Sequence, residues 1–151
     1  MYKKILVGID DSQDAMDAVK KALEFKKSEN SEVIVFHSVI HHISELIPNL
    51  SFTATSTTSV SFSVHEDYIN LGRKILKTVK KLFADDNQQV ETRLIFDISP
   101  ENYIIKKVEE ENFDLVILGC KGKHSKIKRT FLGTIPNRVI NNAACDVLIV
   151  R

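Results

Sequence analysis

The sequence predicts one doubly wound α/β domain, a five-stranded parallel sheet with helices on both faces, of the Rossmann-like type. Short apolar runs alternate with segments of helical period, which is the pattern of such a sheet. The chain has 151 residues, the usual length of one domain, so residues 1–151 are expected to form a single unit. Because crossovers between parallel strands are right-handed, few topologies remain, and the order 3-2-1-4-5 is the natural one.

The strands are predicted from apolar runs. They are expected at residues 5–9, 33–39, 90–96, 115–119 and 145–151. The third run alternates apolar and charged side chains, which favours an edge position over a central one.

Helix signals fill the intervals between these strands. Ser12 is expected to cap the first helix, and apolar residues three or four apart predict a second over residues 64–82. Ser99 and Pro100 are typical of the N-cap and first position of a third helix, which is predicted to end near Glu111. Between the second strand and second helix, residues 51–63 are Ser/Thr-rich and uncharged, and are interpreted as a mobile loop or a pairing segment.

A glycine cluster is the most informative feature of the chain. Of only five glycines, Gly119, Gly122 and Gly133 fall within fifteen residues. Glycines after a strand can adopt positive φ, and their N–H groups can form an anion-binding concavity. Gly133 and Thr134 are expected to open a last helix that includes residues 137–143, with Thr134 as its cap and phosphate at its positive end.

Charge is concentrated beside these glycines. Residues 115–151 hold seven Lys or Arg and one acid, Asp146, so this segment carries +6 and the remainder −5. A nearly neutral protein with its positive charge at a glycine-rich loop suits a polyphosphate ligand. Ligands of doubly wound sheets bind at the carboxyl ends of the strands next to the switch point, which here carry Asp10, Asp11 and Gly119.

Several stretches of the chain match a known pattern. They are residues 3–7 with Asp10 and Ser12, residues 114–119, residues 144–151, and a signature of the form G-x2-G-x(9 or 10)-G-[ST] at Gly119, Gly122, Gly133 and Thr134. In these features the whole chain resembles the nucleotide-binding members of the universal stress protein family. Ten residues, 123–132, separate the second and third glycines where the family pattern has nine, which predicts a one-residue bulge in the loop.

The resemblance implies an adenine nucleotide site, for ATP or else ADP or AMP, with Mg²⁺ or Mn²⁺. Asp10 would bond the ribose or help hold the metal ion, and the main chain near Ile9 and Ser38 would flank the adenine. The nucleoside would lie against Leu118 and Gly119, and the phosphates against Gly122, Gly133, Thr134 and Ile135. Pro136 removes one N–H from the first turn of the phosphate-binding helix.

The expected role is that of a nucleotide-dependent regulator or sensor in the stress response, with an unidentified protein partner and at most slow ATP hydrolysis. No residue is evident as a general base on the γ-phosphate. The alternative is a nucleotide-free homodimeric module of the same fold, favoured by the longer loop. In either case residues 145–151 form an apolar edge strand, which predicts a homodimer.

Other classes of protein are less consistent with the sequence. A receiver domain needs a phosphoacceptor Asp after a later strand, whereas the second strand ends in His37 and Ser38. The basic residues 121–129 lack an aromatic platform for nucleic acid, and His41, His42 and Glu45 lack a second ligand pair for a metal. The chain contains neither G-x-x-x-x-G-K-[ST] nor G-x-S-x-G, which excludes motor ATPases and serine hydrolases of those types.

The remaining expectations concern the cellular setting. The longest apolar runs, residues 115–120 and 147–150, are shorter than the roughly 18 to 20 residues of a membrane span. Residues 1–9 lack the apolar region of a signal peptide, so a cytoplasmic location is expected. Cys120 and Cys145 are expected to be reduced, buried thiols. Asp10 has a second interpretation, as a cap of the first helix.

Overall fold

The computed structural model describes residues 1–40, 57–121 and 132–151. Within these ranges the strands are β1 (Lys4–Gly8), β2 (Glu32–Val39), β3 (Glu91–Phe96), β4 (Leu115–Gly119) and β5 (Asp146–Val150). The helices are α1 (Gln13–Glu29), α2 (Thr57–Asp85), α3 (Pro100–Glu111) and α4 (Thr134–Asn142). The prediction of alternating strands and helices is therefore confirmed.

The five strands form one parallel sheet in the order β3-β2-β1-β4-β5. β1 lies at the centre, with Val7 opposite Val35 of β2 on one side and Ile117 of β4 on the other. β3 is an edge strand, as its alternating pattern predicts. The connections leave β1 towards β2 and return to β4, so the switch point lies between β1 and β4.

Alternate residues of the strands feed two separate cores. On one face Val7 and Val35 pack under α1 and α2, with the side chains of Val19 and Phe83 fully buried. On the opposite face Leu6, Ile34 and Val116 of the sheet pack under α3 and α4. Each face excludes water, which makes the burial of these alternating strand residues the main stabilising contribution to the fold.

Two of the predicted helix starts are confirmed in detail. Ser12 caps α1, and its Oγ accepts from the Ala15 N–H at 3.2 Å. Ser99 caps α3, and Pro100 occupies the first turn. Both helices end on an asparagine in the left-handed region, Asn30 and Asn112, a common way of closing the last turn.

One element differs from its prediction. Residues 57–63, interpreted as part of a loop or pairing segment, are the first turns of α2. Extending a helix costs less than nucleating one, so the strongly periodic part of α2 can continue back through Ser and Thr residues of modest propensity. Residues 51–56 lie outside the described ranges.

The two cysteines differ in their burial. Cys120 is buried as expected, whereas Cys145 is only half-buried, because it precedes the edge strand β5. Both thiols are free. Burial, with a smaller contribution from Asp146, raises the pKa of Cys145 to about 11, so this thiol is protonated and unreactive near neutral pH.

Among the described helices none is long and apolar enough to span a bilayer.

Candidate functional site

A cleft opens at the carboxyl end of the sheet, over the ends of β1, β2 and β4. It encloses about 550 Å³, counting the part open to solvent. The starts of three helices also reach it, which places their positive ends around one space. Its lining is formed by Gly8, Ile9, Asp10, Ala15, Phe36, His37, Ser38, Pro100, Leu118, Gly119, Ile135 and Pro136.

The main chain of Ile9 is held from two directions at the floor of this cleft. Its N–H donates to the Phe36 carbonyl at 3.0 Å, continuing the pairing of β1 with β2. Its carbonyl lies 2.7 Å from Nδ1 of His37. A carbonyl can only accept, so Nδ1 is the protonated nitrogen in this contact. His37 therefore locks the residue that precedes Asp10.

Helix α2 reaches the same histidine through Gly72. A Cβ at Gly72 would lie 2.7 Å from Cδ2 of His37 and 2.7 Å from Cδ1 of Leu94. The missing side chain lets α2 approach β2 and β3 closely enough to hold the imidazole. Gly72, which weakens a helix in isolation, is thus required by packing.

Asp10 supports the start of α1 through Ser12. One carboxylate oxygen of Asp10 accepts from the Ser12 N–H at 3.0 Å and also from the Ser12 hydroxyl. Ser12 is the residue that caps the helix. The interpretation of Asp10 as the cap of α1 is therefore wrong, although Asp10 does orient the residue that caps this helix. Asp10 also lines the cleft, so the same side chain contacts the start of α1 and faces the candidate site.

Gly119 is needed for space and not for an unusual backbone angle. Its Cβ would lie 2.6 Å from the Ala15 nitrogen and 2.7 Å from the Asp14 carbonyl carbon, both in the main chain of α1. Among the described glycines none has a positive φ, so that expectation is wrong for Gly119 and Gly133. Gly119 brings the start of α1 against the end of β4.

The start of α4 also departs from its prediction. Gly133, with φ −63° and ψ 165°, is the N-cap and has no side-chain hydrogen bond, whereas Thr134 is the first helical residue. The Gly133 N–H donates to the Cys120 carbonyl at 3.0 Å. The N–H groups of Thr134 and Ile135 have no acceptor within their own helix, and Pro136 has no N–H. Of these two residues, Ile135 lines the cleft.

The structure describes only some of the cationic side chains of residues 115–151. Arg138 is committed to Glu101, with 2.7 Å between its guanidinium and the buried carboxylate, and this pair joins α4 to α3. Lys123, Lys126, Lys128 and Arg129 lie outside the described residues.

Most of the predicted site residues lie together. Those that line the cleft are Ile9, Asp10, Ser38, Leu118, Gly119 and Ile135. Gly133 and Thr134 lie at the start of α4, beyond the lining, while Gly122, His41, His42 and Glu45 fall outside the described ranges. Ser38 uses its hydroxyl to donate to the Ile98 carbonyl. Within the described part of the chain no group of three His, Cys, Asp or Glu could hold a metal ion.

Sequence reasoning missed His37, Phe36 and Ala15 as lining residues. The signal for His37 was present, since it is a polar residue near the carboxyl end of an apolar strand next to the switch point. Ala15 carried no such signal, because it reaches the cleft only through the close approach of α1 to Gly119.

These features define a doubly wound α/β domain with a ligand cleft at its switch point. The chain belongs to the universal stress protein family, whose model matches residues 1–151. Universal stress protein MJ0577 of Methanocaldococcus jannaschii is 30% identical over 158 aligned residues, covering all of this chain and 96% of that protein. The solved structure of MJ0577 superposes with a TM-score of 0.80 at 27% identity, covering 99% of this chain and 96% of that one.

Two other solved structures hold nucleotides. A universal stress protein from Archaeoglobus fulgidus in complex with dAMP has a TM-score of 0.67 at 18% identity, covering 99% of this chain and 98% of that one. A universal stress protein in complex with cAMP has a TM-score of 0.60 at 21% identity, covering 99% and 97%. At these identities the likeness shows the shared fold.

Proposed function

We propose that this protein binds an adenine nucleotide, ATP with Mg²⁺ or Mn²⁺, in the cleft and acts as a nucleotide-dependent regulator or sensor. The observation that carries the proposal is the cleft itself, which combines an apolar floor, a carboxylate and an uncapped helix start at the switch point. ADP or AMP would occupy the same space. The complexes of family members with dAMP and cAMP support an adenine nucleotide as the ligand class.

The two ends of the cleft suit different parts of such a ligand. Phe36 and Leu118, both nearly fully buried, give an apolar wall for the nucleoside, beside the main chain of Ile9 and Ser38. The amides of Thr134 and Ile135 at the positive end of α4 suit the phosphates. Gly122 and Gly133 of the signature would complete the phosphate side.

Asp10 suits the ribose or the metal ion. One of its oxygens already accepts two hydrogen bonds from Ser12, which orients the carboxylate and leaves the other oxygen for a ligand. One carboxylate together with phosphate oxygens is a usual set of ligands for Mg²⁺. The bound ion would supply neutralisation of the phosphate charge.

Slow hydrolysis at most is the expected chemistry. Among the described residues the lining includes one carboxylate and one histidine. That histidine donates its Nδ1 proton to the Ile9 carbonyl, and its Nε2 lies against Gly72 of α2, so it is not placed as a base for water attacking a γ-phosphate.

A nucleotide-free homodimeric module is the second candidate, because β5 is an edge strand whose outer side is unpaired among the described strands. Release of bound nucleotide distinguishes the two. The purified full chain is denatured, the released small molecules are separated by anion exchange, and the emptied protein is titrated with ATP, AMP and GTP in a calorimeter. Binding of ATP or AMP is expected. Silence for every adenine compound would leave only the dimeric module.

Variants of two neighbouring residues test the assigned roles. Asp10→Asn keeps an oxygen acceptor for Ser12 but removes the charge, so Mg-ATP affinity should fall about tenfold with little change in melting temperature. Ser12→Ala should cost about 0.5 to 2 kcal/mol of stability through the lost cap, with a smaller loss of nucleotide affinity than in Asp10→Asn, because the N–H of residue 12 still orients the Asp10 carboxylate.

Gly122→Val should abolish ATP binding in a folded protein if the glycine signature cradles the phosphates. Unchanged affinity in that variant would remove this loop from the site.

A further inference from the structure

Helix α2 carries a surface of one charge sign that the cleft does not use. Between residues 68 and 84 the sequence contains five cations and no acidic residue. All five side chains are exposed, and they are Arg73, Lys74, Lys77, Lys80 and Lys81. At 100° per residue they fall within an arc of about 120° and span about 12 Å of the helix. We refer to these five residues as the basic face of α2.

The basic face is not neutralised by the acidic side chains that the structure describes. No ion pair joins any of its five residues to an acidic side chain of the described ranges. The other helices differ in this respect. On α1, Lys20 pairs with Asp17 at 2.8 Å, and on α3, Lys107 pairs with Glu110 at 2.8 Å.

Lys77 concentrates the unfavourable interactions of this surface. It lies three or four residues from each of the other four cations, the spacing at which side chains on a helix are neighbours. Like charges at this spacing destabilise a helix. The apolar side of α2 packs into the core through Ile75, Val79 and Phe83. This packing does not require positive charge on the outer side of the helix.

The ends of the basic face limit what can bind to it. Glu66 and Asp67 precede it, Asp85 and Asp86 follow it, and all four residues are exposed. A long uniform polyanion, such as nucleic acid, would meet repulsion from Glu66 and Asp67 at one end and from Asp85 at the other, where Asp86 is paired with Lys27 at 3.2 Å. Insertion of this stretch into a membrane is disfavoured because its apolar residues Ile75, Val79 and Phe83 are already buried in the core. A second copy would bring the two basic faces together, since symmetric contacts match like with like.

We propose that the basic face of α2 docks an acidic helix of a partner protein, about three turns long, with cations at its ends. Glutamate or aspartate residues three and four apart would match the repeat of the five cations, and terminal cations would match the flanking acids. The surface lies on the opposite side of the sheet from α3 and α4. The sheet therefore separates the basic face from the start of α4, where the phosphates of a nucleotide are proposed to bind.

Two peptides of identical composition test the proposal with the full chain. Each is a capped helix of about 18 residues. One has glutamates in the centre at the spacing of the five cations and lysines at the ends, and the other has this arrangement reversed. Fluorescence anisotropy should show at least about tenfold tighter binding of the first, weakening between about 50 and 200 mM salt.

Lys77→Glu and Lys20→Glu form a matched pair of variants, because each changes the charge by −2 at an exposed helical lysine. Lys77→Glu should abolish the preference between peptides and raise the melting temperature, since four repulsions become attractions. Lys20→Glu should keep the preference and lower the melting temperature, since it places a like charge beside Asp17. Equal affinity for both peptides, or equal loss of binding in both variants, overturns the proposal. Tighter binding of duplex DNA or of anionic vesicles through Lys77 would also overturn it and assign the surface to that polyanion.

Discussion

His37 shows how a single side chain can shape the cleft while carrying none of its chemistry. Its Nδ1 proton is donated to the Ile9 carbonyl at 2.7 Å, and its ring packs beneath Gly72. Ile9 is thereby tied on both its N–H and carbonyl sides. The next residue is Asp10, so the position of that carboxylate depends on a histidine 27 residues away in the sequence.

His37→Leu should cost about 1 to 3 kcal/mol of stability and weaken adenine nucleotide binding, because it leaves a partly buried carbonyl without a donor. His37→Asn should restore much of both, since the amide nitrogen of asparagine can reach the position of Nδ1. Chemical denaturation and calorimetric titration of the two variants measure these effects. If asparagine gave no more rescue than leucine, the hydrogen bond would not be what positions the site.

Glu111 is the residue whose charge should be most visible in the pH dependence of stability. Its hydrogen bonds with Arg93, at 2.8 and 2.9 Å, lower its pKa from the usual 4.5 to about 2. A depressed pKa means that the folded state binds the proton less readily than the unfolded state. The stabilisation is therefore complete above about pH 4.5 and is lost as the pH falls towards 2, with a size on the order of 2 kcal/mol.

Glu111→Gln should flatten the fall in stability between pH 5 and 2 and lower stability at pH 7. Urea unfolding at several pH values measures both effects. Glu109→Gln is the matched control, because Glu109 is exposed on the same helix and should leave the profile unchanged. An acid profile of Glu111→Gln that matched the parent protein would show that the pair with Arg93 contributes nothing to stability.

The contact between β4 and α1 builds the switch point. The end of β4 lies so close to the first turn of α1 that a single methyl group at Gly119 would collide with main-chain atoms. Main chain cannot move aside as a flexible side chain can. The position of α1, and with it Ser12 and Ala15, therefore depends on this glycine.

Gly119→Ala should destabilise the protein by about 1 to 3 kcal/mol, since α1 has to move away from β4. Gly133→Ala should cost less than about 1 kcal/mol, because its Cβ would come no closer than 3.2 Å, to the Cys120 oxygen, and its φ suits any residue. Thermal and urea unfolding of both variants gives the comparison. Equal effects would contradict the close approach of β4 to α1.

The outer side of β5 leaves an edge of the sheet open to pairing among the described strands. The Val150 carbonyl accepts from the Cys120 N–H at 2.7 Å, so Val150, Leu148 and Asp146 face β4 with their main-chain groups. The alternation of a strand then directs the N–H groups of Val147 and Ile149 outwards. An edge of this kind can pair with a second copy, and a homodimer through residues 145–151 stays a prediction.

Sedimentation at tens of micromolar should give a particle of twice the chain mass of 17.1 kDa. Val147→Pro should convert it to a folded monomer, because it removes one outward N–H without altering the pairing with β4. Circular dichroism checks that the variant remains folded. A monomeric parent protein at that concentration would exclude the dimer.

The fold could be predicted from the sequence because its signals are local. Strand runs and helical repeats depend on neighbouring residues, and with right-handed crossovers they lead to the observed strand order. The start of α2 and the cap of α4 could not be predicted in the same way. Thr134 has the chemistry of a cap, but Gly133 takes the position because its N–H is held by Cys120.

Local patterns in the sequence are enough to place the strands and helices, the strand order, and the end of the sheet at which the cleft lies. Three contacts depend instead on how the elements pack: Arg138 with Glu101, His37 with Ile9, and Gly119 against α1. Distance along the chain explains this difference. Each of these contacts joins residues far apart along the chain, and whether two such groups meet within 3 Å depends on how whole elements pack, which no local pattern encodes.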